Sequence, residues 1–223
     1  MINILLVEDD KSFGYVLSEY MQLKKINVKW AKTEKEAFEM LKSSPFDLAI
    51  LDINLKQASG YDIAKVIREE YKSMPFIFLT ARDLKVDQLK GYQLGAEEYV
   101  TKPIDEEILL AKIDAIITRR NQTKQSASEK LTWKDISLHK NKRELTVRET
   151  IFQLTERECL LMVALLSQPE TLVERNVILQ NLWESQDEFS RNSMDVYISR
   201  LRKYLSESEI TIRNVHGKGF VLE

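Results

Sequence analysis

Five short apolar runs fill the first 120 residues, at 3–7, about 26–30, 47–51, 75–79 and 97–100, and a helical pattern follows each one. Runs this short and this apolar suit strands buried on both faces, and strands joined through helices lie parallel. The expected fold is therefore α/β, a doubly wound five-stranded parallel sheet with helices on both sides. The second helix is expected to open at Thr33, because Thr33 and Glu36 have capping-box spacing.

The pattern then breaks. Residues 119–130, RRNQTKQSASEK, contain no large apolar side chain and read as a polar connection. The expected organisation is a first domain over 1–120, a linker over 121–130 and a second domain over 131–223. In the second domain, strand-like pieces at 131–139 and 143–153 precede a helix capped by Thr155, with Glu158 three positions on. Helical patterns follow at about 175–183 and 191–205, and ITIRNVHGKGFVLE closes the chain as a hairpin. This half is α+β.

Charge narrows the partners. The formal net charge is -2, which excludes a basic coat over the whole molecule. Residues 1–118 are net -4, 119–130 net +3 and 131–223 net -1, so positive charge in the second domain is local. Arg191, Arg200, Arg202 and Lys203 share one helical stretch with Asp195. The longest apolar run, Leu160 to Leu166, is far short of a membrane span, and MINILLVEDD lacks a signal peptide's basic start. A lone cysteine, Cys159, fits packing in an apolar helix and a cytoplasmic protein.

In DLAILDIN, residues 47–54, a buried strand runs directly into Asp52. Five-unit open sheets commonly take strand order 2-1-3-4-5 and bind ligands at the carboxyl ends of strands 1 and 3. Strand 1 ends in Glu8, Asp9 and Asp10, and strand 3 in Asp52. Carboxylates gathered there repel unless a cation joins them, and an all-oxygen site suits Mg²⁺. Strand 4 ends in Thr80 and strand 5 runs into Lys102-Pro103, adding a hydroxyl and an ammonium. Acids, a divalent ion, a lysine and a hydroxyl together suit phosphoryl transfer to a carboxylate.

The motifs VEDD, LDIN, FLTA, YVTKP and GAEEY, then LTERE, MDVYISRLRKYL and NVHGKGFVL, resemble over essentially the whole length a two-component response regulator of the OmpR/PhoB family. The resemblance implies a flavodoxin/CheY-like receiver followed by a winged helix-turn-helix. It implies that a sensor histidine kinase phosphorylates Asp52. Asp9, Asp52 and the backbone carbonyl of Asn54 would hold Mg²⁺, with Glu8 acting through water. Thr80 and Tyr99 would be the switch pair and Lys102 the phosphate-sensing cation. The Lys102–Pro103 bond is expected to be cis. When phosphorylated, the chain is expected to dimerise through the receiver's fourth helix, fifth strand and fifth helix. Lys85, Lys90, Glu97, Glu98, Lys112 and Arg119 could supply the crossed charges there, and Ile108 stands where the family has glutamate. Two positions depart from the family near the acceptor: Lys56 replaces a usual proline and Ser59 a usual aspartate.

In the second domain Met194, Ile198, Leu201 and Leu205 repeat as a core stripe, leaving Asn192, Val196, Ser199, Arg200 and Lys203 on other faces. Such a face is either solvated or laid into a DNA major groove, and the resemblance selects the second. Arg191, Arg202 and Lys203 are expected on phosphates of a double-stranded DNA operator. The terminal hairpin would be the wing, where His216 stands in place of a common arginine and Lys218 is expected to carry the contact. Gly217 and Gly219 would permit positive φ and close approach to a backbone. Residues 181–192, around Trp183, match the segment that in this family meets RNA polymerase.

Two rival readings remain. A haloacid-type aspartyl-phosphate hydrolase would need an acid two residues after the acceptor, where this chain has Asn54. A regulator of the same fold that acts without phosphorylation is left open by Lys56 and Ser59.

Overall fold

The computed structural model describes residues 2–56, 58–123, 130–183 and 188–223. They fall into two compact units, 1–119 and 120–223. In the first, β1 (Asn3–Val7), α1 (Lys11–Leu23), β2 (Asn27–Ala31), α2 (Glu34–Ser43) and β3 (Leu48–Leu51) come in turn. A small hairpin, β4 (Asn54–Leu55) and β5 (Ala58–Ser59), precedes α3 (Gly60–Glu70). Then follow β6 (Phe76–Thr80), α4 (Lys85–Leu94), β7 (Glu98–Thr101) and α5 (Glu106–Thr123). The sheet order is β2-β1-β3-β6-β7, all parallel, so strand 1 lies beside strand 3 as the alternating pattern implies.

Local sequence explains how this unit starts its helices. Asp10 caps α1, its carboxylate accepting from the amides of Ser12 and Phe13 at 2.8 and 3.0 Å. That is the structural use of the third acid in VEDD. Thr33 caps α2 by accepting from Glu36 N. The reciprocal half of the expected box is absent, because Glu36 Oε2 accepts from Lys32 N at 2.7 Å, one residue upstream. α3 starts hard against the end of β3: a Cβ on Gly60 would lie 2.1 Å from the carbonyl oxygen of Asp52. α5 continues through 121–123, residues expected in the linker, where neither glycine nor proline interrupts it. The rest of that stretch, 124–129, lies outside the described residues.

The second unit opens with β8 (Lys130–Trp133), β9 (Ile136–His139), β10 (Glu144–Val147) and β11 (Thr150–Gln153), an antiparallel sheet in the order β11-β10-β9-β8. Each strand-like piece of the sequence is thus a hairpin. The turns pass through Lys134 and Arg148, which adopt φ of 49° and 51°. α6 (Glu156–Leu166) carries both halves of the Thr155–Glu158 capping box. Then come β12 (Val173–Glu174), α7 (Arg175–Trp183), α8 (Glu188–Tyr204), β13 (Ile212–Val215) and β14 (Gly219–Leu222). β13 and β14 form the expected terminal hairpin, and β12 adds a third strand against β14.

The two hairpin glycines serve different needs. Gly217 has φ +68, whereas a Cβ on Gly219 would lie 2.0 Å from the Val173 carbonyl oxygen. The close approach at Gly219 is to the chain's own β12. Cys159 is buried in α6, and burial pushes its thiol up to about 12, which suits packing and not reactivity. Among the described residues no helix is long and apolar enough to cross a membrane.

Candidate functional site

The carboxyl ends of β1, β3 and β7 bring Glu8, Asp52 and Lys102 together. Lys102 Nζ lies 2.6 Å from Glu8 Oε2 and 2.7 Å from Asp52 Oδ2, with the Phe13 ring centroid 4.4 Å away. All three groups are largely withdrawn from solvent, Glu8 and Asp52 almost fully. Burial pushes the Glu8 carboxyl above its ordinary value, against the pull of Lys102. Burial alone would lower Lys102, but its hydrogen bonds to Asp52 and Glu8 outweigh this and keep it charged. The lysine turns back over the site from a cis Lys102–Pro103 peptide, as expected.

Backbone groups fix the acids. Asp52 Oδ1 accepts from Asn54 N at 2.9 Å, and Glu8 Oε1 from Asp10 N at 3.2 Å. The Trp30 indole donates to the Glu8 carbonyl at 2.8 Å, over a Gly14 with no room for a Cβ beside that ring. Asp9 does not join the cluster. Its Oδ2 accepts from the backbone amide of Lys56 at 3.1 Å, a bond that a proline at 56 could not donate. The expectation that the carboxylates converge therefore holds for Glu8 and Asp52 only. Among the described residues no group of three or more acids, histidines or cysteines lies close enough to hold a metal as it stands. A cavity of about 370 Å³ borders Asp9 and Lys56, with Lys11, Lys32 and Lys35 also lining it.

Thr80 is fully buried at the end of β6, its Oγ1 accepting from Arg82 N at 3.4 Å. Tyr99, the other residue of the expected switch pair, is buried, its hydroxyl donating to the Arg82 carbonyl at 3.0 Å. Burial drives its phenol well above the usual range. Arg82 also donates from Nε to Asn54 Oδ1 at 2.7 Å and from Nη1 to Asp87 Oδ1 at 3.1 Å. The motif reading passed over Arg82, Asp87 and Trp30; the place of Arg82 directly after FLTA was the available signal.

On α8, Met194, Ile198, Leu201 and Leu205 form the buried stripe, joined by Tyr197. Arg191, Ser199, Arg202 and Lys203 are exposed, and Asn192 and Val196 partly so. Arg200 is not on that outer face. Its Nε lies 2.9 Å from Glu158 Oε1, which is wholly buried, and its Nη2 donates to the Tyr204 hydroxyl. Arg202 Nε donates to the Ile212 carbonyl at 2.8 Å, tying α8 to the hairpin. His216 and Lys218 are exposed at the hairpin turn. Trp183 packs inward, its indole donating to Ser193 Oγ at 2.8 Å, so it is a core residue. Residues 184–187 of the segment around it lie outside the described residues.

Residues 4–114 match the response regulator receiver domain, and residues 148–222 the C-terminal domain of transcriptional regulatory proteins. The transcriptional regulatory protein RprY of Bacteroides fragilis is 33% identical over 222 residues, 99% of this chain and 94% of that protein. The transcriptional regulatory protein DltR of Streptococcus agalactiae is 32% identical over 227 residues, covering 100% and 99%. Among solved structures, the response regulator DrrB of Thermotoga maritima, an OmpR/PhoB homologue, matches with TM-score 0.53 at 26% identity, covering 100% and 99%.

Proposed function

Because the chain belongs to the OmpR/PhoB-type two-component response regulators, receiver joined to DNA-binding domain, we propose that Asp52 accepts the phosphoryl group that controls its binding to DNA. The observation that carries this reading is the placement of Lys102 Nζ between Glu8 and Asp52. A carboxylate oxygen of Asp52 attacks the phosphorus of a sensor kinase's phosphohistidine. The P–N bond breaks, and its electron pair leaves with the imidazole. Lys102, already on Asp52, meets the charge on the phosphoryl oxygens. The lysines lining the cavity beside Asp9 give the incoming phosphate an attractive approach.

The donors suit Mg²⁺: they are hard oxygens, and the one ammonium of Lys102 leaves Glu8, Asp9 and Asp52 with excess negative charge. Asp9, Asp52 and the Asn54 carbonyl would hold the ion, with Glu8 acting through water. When bound, it supplies charge neutralisation for the transferring phosphoryl group. The Lys56 amide competes for Asp9. Lys56→Pro removes that donor, so Mg²⁺ should bind roughly three- to tenfold more tightly, the worth of one hydrogen bond. Trp30 fluorescence, read during a Mg²⁺ titration, measures this; equal or weaker binding by the variant would show that the bond does not restrain Asp9.

Phosphorylation then favours pairing through α4, β7 and α5. Lys85, Lys90, Glu98, Lys112 and Arg119 remain candidates for crossed charges; Glu97 is buried and does not. Exposed Val86 and Ile108 add apolar area to the same elements. Beryllofluoride stands in for the phosphoryl group. Dimers in the ultracentrifuge and tighter operator binding are expected only when it and Mg²⁺ are both present. Operator binding indifferent to both would favour the reading without phosphorylation.

The DNA-facing set is Arg191, Asn192, Val196, Ser199, Arg202 and Lys203 on α8, with His216 and Lys218 on the wing; Arg200 supports the helix from within. Residues 181–192 remain the candidate contact for RNA polymerase. If Lys218 meets a phosphate, Lys218→Ala should lower the slope of log K against log salt by roughly one unit. His216→Arg should tighten binding. Filter binding across salt concentrations reads both, and an unchanged slope would remove Lys218 from the interface.

A further inference from the structure

Arg82 is placed between the acceptor loop and the first turn of α4. Its guanidinium spans Asn54 Oδ1 at 2.7 Å and Asp87 Oδ1 at 3.1 Å, while its main-chain carbonyl accepts from the Tyr99 hydroxyl at 3.0 Å. Asp87 also holds Tyr61, whose hydroxyl donates to Asp87 Oδ1 at 3.2 Å and to the Asp87 carbonyl at 3.1 Å. Lys90 Nζ stands 4.0 Å over the Tyr61 ring. One arginine thus ties together a residue of the acceptor loop, the start of α4 and both tyrosines.

Two features make this arrangement responsive. The Arg82 side chain is 44% exposed against 13% for Asp87, so the arginine is the partner with room to move. The acceptor is also near: the Asn54 side chain takes a hydrogen bond from Arg82, and its amide gives one to Asp52 Oδ1 at 2.9 Å. A phosphoryl group on Asp52 carries about 1.5 to 2 negative charges where the carboxylate carried one, and brings three acceptor oxygens. A guanidinium pairs with such a group through two parallel bonds, more strongly than it pairs with one oxygen of Asp87.

We propose that Arg82 is a phosphate-responsive clasp. It pins α4 to the acceptor loop while Asp52 is unmodified. It exchanges Asp87 for the phosphoryl oxygens once Asp52 is modified, releasing Asp87, Tyr61 and the first turn of α4. Lys102 remains the buried cation, and Arg82 is a second cation that arrives from the solvent side. The clasp rests on Asp52 being the phosphoacceptor.

The sign of two substitutions tests it. Asp87→Asn removes the competitor for Arg82 and should raise the apparent affinity for beryllofluoride with Mg²⁺. Arg82→Ala removes the cation and should lower it. Each effect should be roughly three- to fivefold, the scale of a half-exposed ion pair. A merely structural pair would move both variants in the same direction, because either substitution breaks the same contact. Titration of the full-length chain with beryllofluoride is followed by ¹⁹F NMR, and by the α4 amide signals as a second readout. In Asp87→Asn those signals should lie part-way to the bound position before any beryllofluoride is added. Opposite shifts in affinity support the clasp; shifts of one sign, or none, overturn it alone. Wild-type protein that takes up no more beryllofluoride than Asp52→Ala overturns the acceptor reading and the clasp with it.

Discussion

An Asp52→Ala chain is expected to take no phosphoryl group from acetyl phosphate and yet to remain folded. Loss of labelling follows from loss of the carboxylate that Lys102 and the Asn54 amide jointly orient at the strand ends. Retention of the fold follows from what stays behind. Lys102 keeps Glu8 at 2.6 Å and the Phe13 ring at 4.4 Å, so no buried ammonium is stranded. Glu8 meanwhile loses a like-charged neighbour that helps to push its carboxyl upward. The cost should be near that of one or two hydrogen bonds, about 1–2 kcal/mol. Lys102→Ala is the contrast, since it leaves two buried carboxylates facing one another and should destabilise the receiver much more. Labelling resolved by phosphate-affinity electrophoresis, together with thermal unfolding, reads both quantities. A labelled alanine variant would place the acceptor elsewhere.

The part of this site legible in the sequence is the part that strand ends dictate. Glu8, Asp52 and Thr80 each follow an apolar run directly and Lys102 follows one with Thr101 between, and parallel strands in the order β2-β1-β3-β6-β7 leave them little choice of position. That Asp9 turns away from Glu8 and Asp52 was not legible, because its partner is a backbone amide in the loop after β3, and amides carry no sequence signature. Arg82 escaped because it lies beyond the strand, where direction is set by the turn into α4. In the second unit the helical period found the α8 stripe, but it could not show that Arg200 turns inward. That depends on Glu158, contributed by α6 from far along the chain. β12 has two residues and no period at all; it is a strand only because the hairpin's last strand lies beside it, with Gly219 admitting the Val173 carbonyl.

Glu158→Ala should be the most damaging single change in the DNA-binding unit. The side chain is wholly buried: Oε2 accepts from Thr155 N at 2.7 Å, and Oε1 meets Arg200 Nε at 2.9 Å and the Tyr204 hydroxyl at 3.3 Å. It therefore closes the capping box of α6 and neutralises the Arg200 guanidinium that α8 turns inward. With Glu158 present its charge raises the Arg200 guanidinium against the pull of burial; a guanidinium does not lose its proton in a protein, so the arginine stays charged when that partner is cut away. An uncompensated buried charge costs roughly 3–5 kcal/mol, and the lost cap about 1 more. Against a typical domain stability of about 5–15 kcal/mol, this removes a large share of what holds the unit folded and lowers its unfolding midpoint steeply. Glu158→Gln keeps the acceptor oxygen and should fall between. The receiver, a separate compact unit with its own core, should be labelled at Asp52 as before. Trp30 reports on the receiver and Trp133 and Trp183 on the second unit, so denaturant unfolding followed through single-tryptophan variants separates the two. Loss of operator binding with an unshifted Trp183 transition would mean that Glu158 acts in recognition and not in stability. A simultaneous collapse of the Trp30 transition would mean that the two units do not unfold independently.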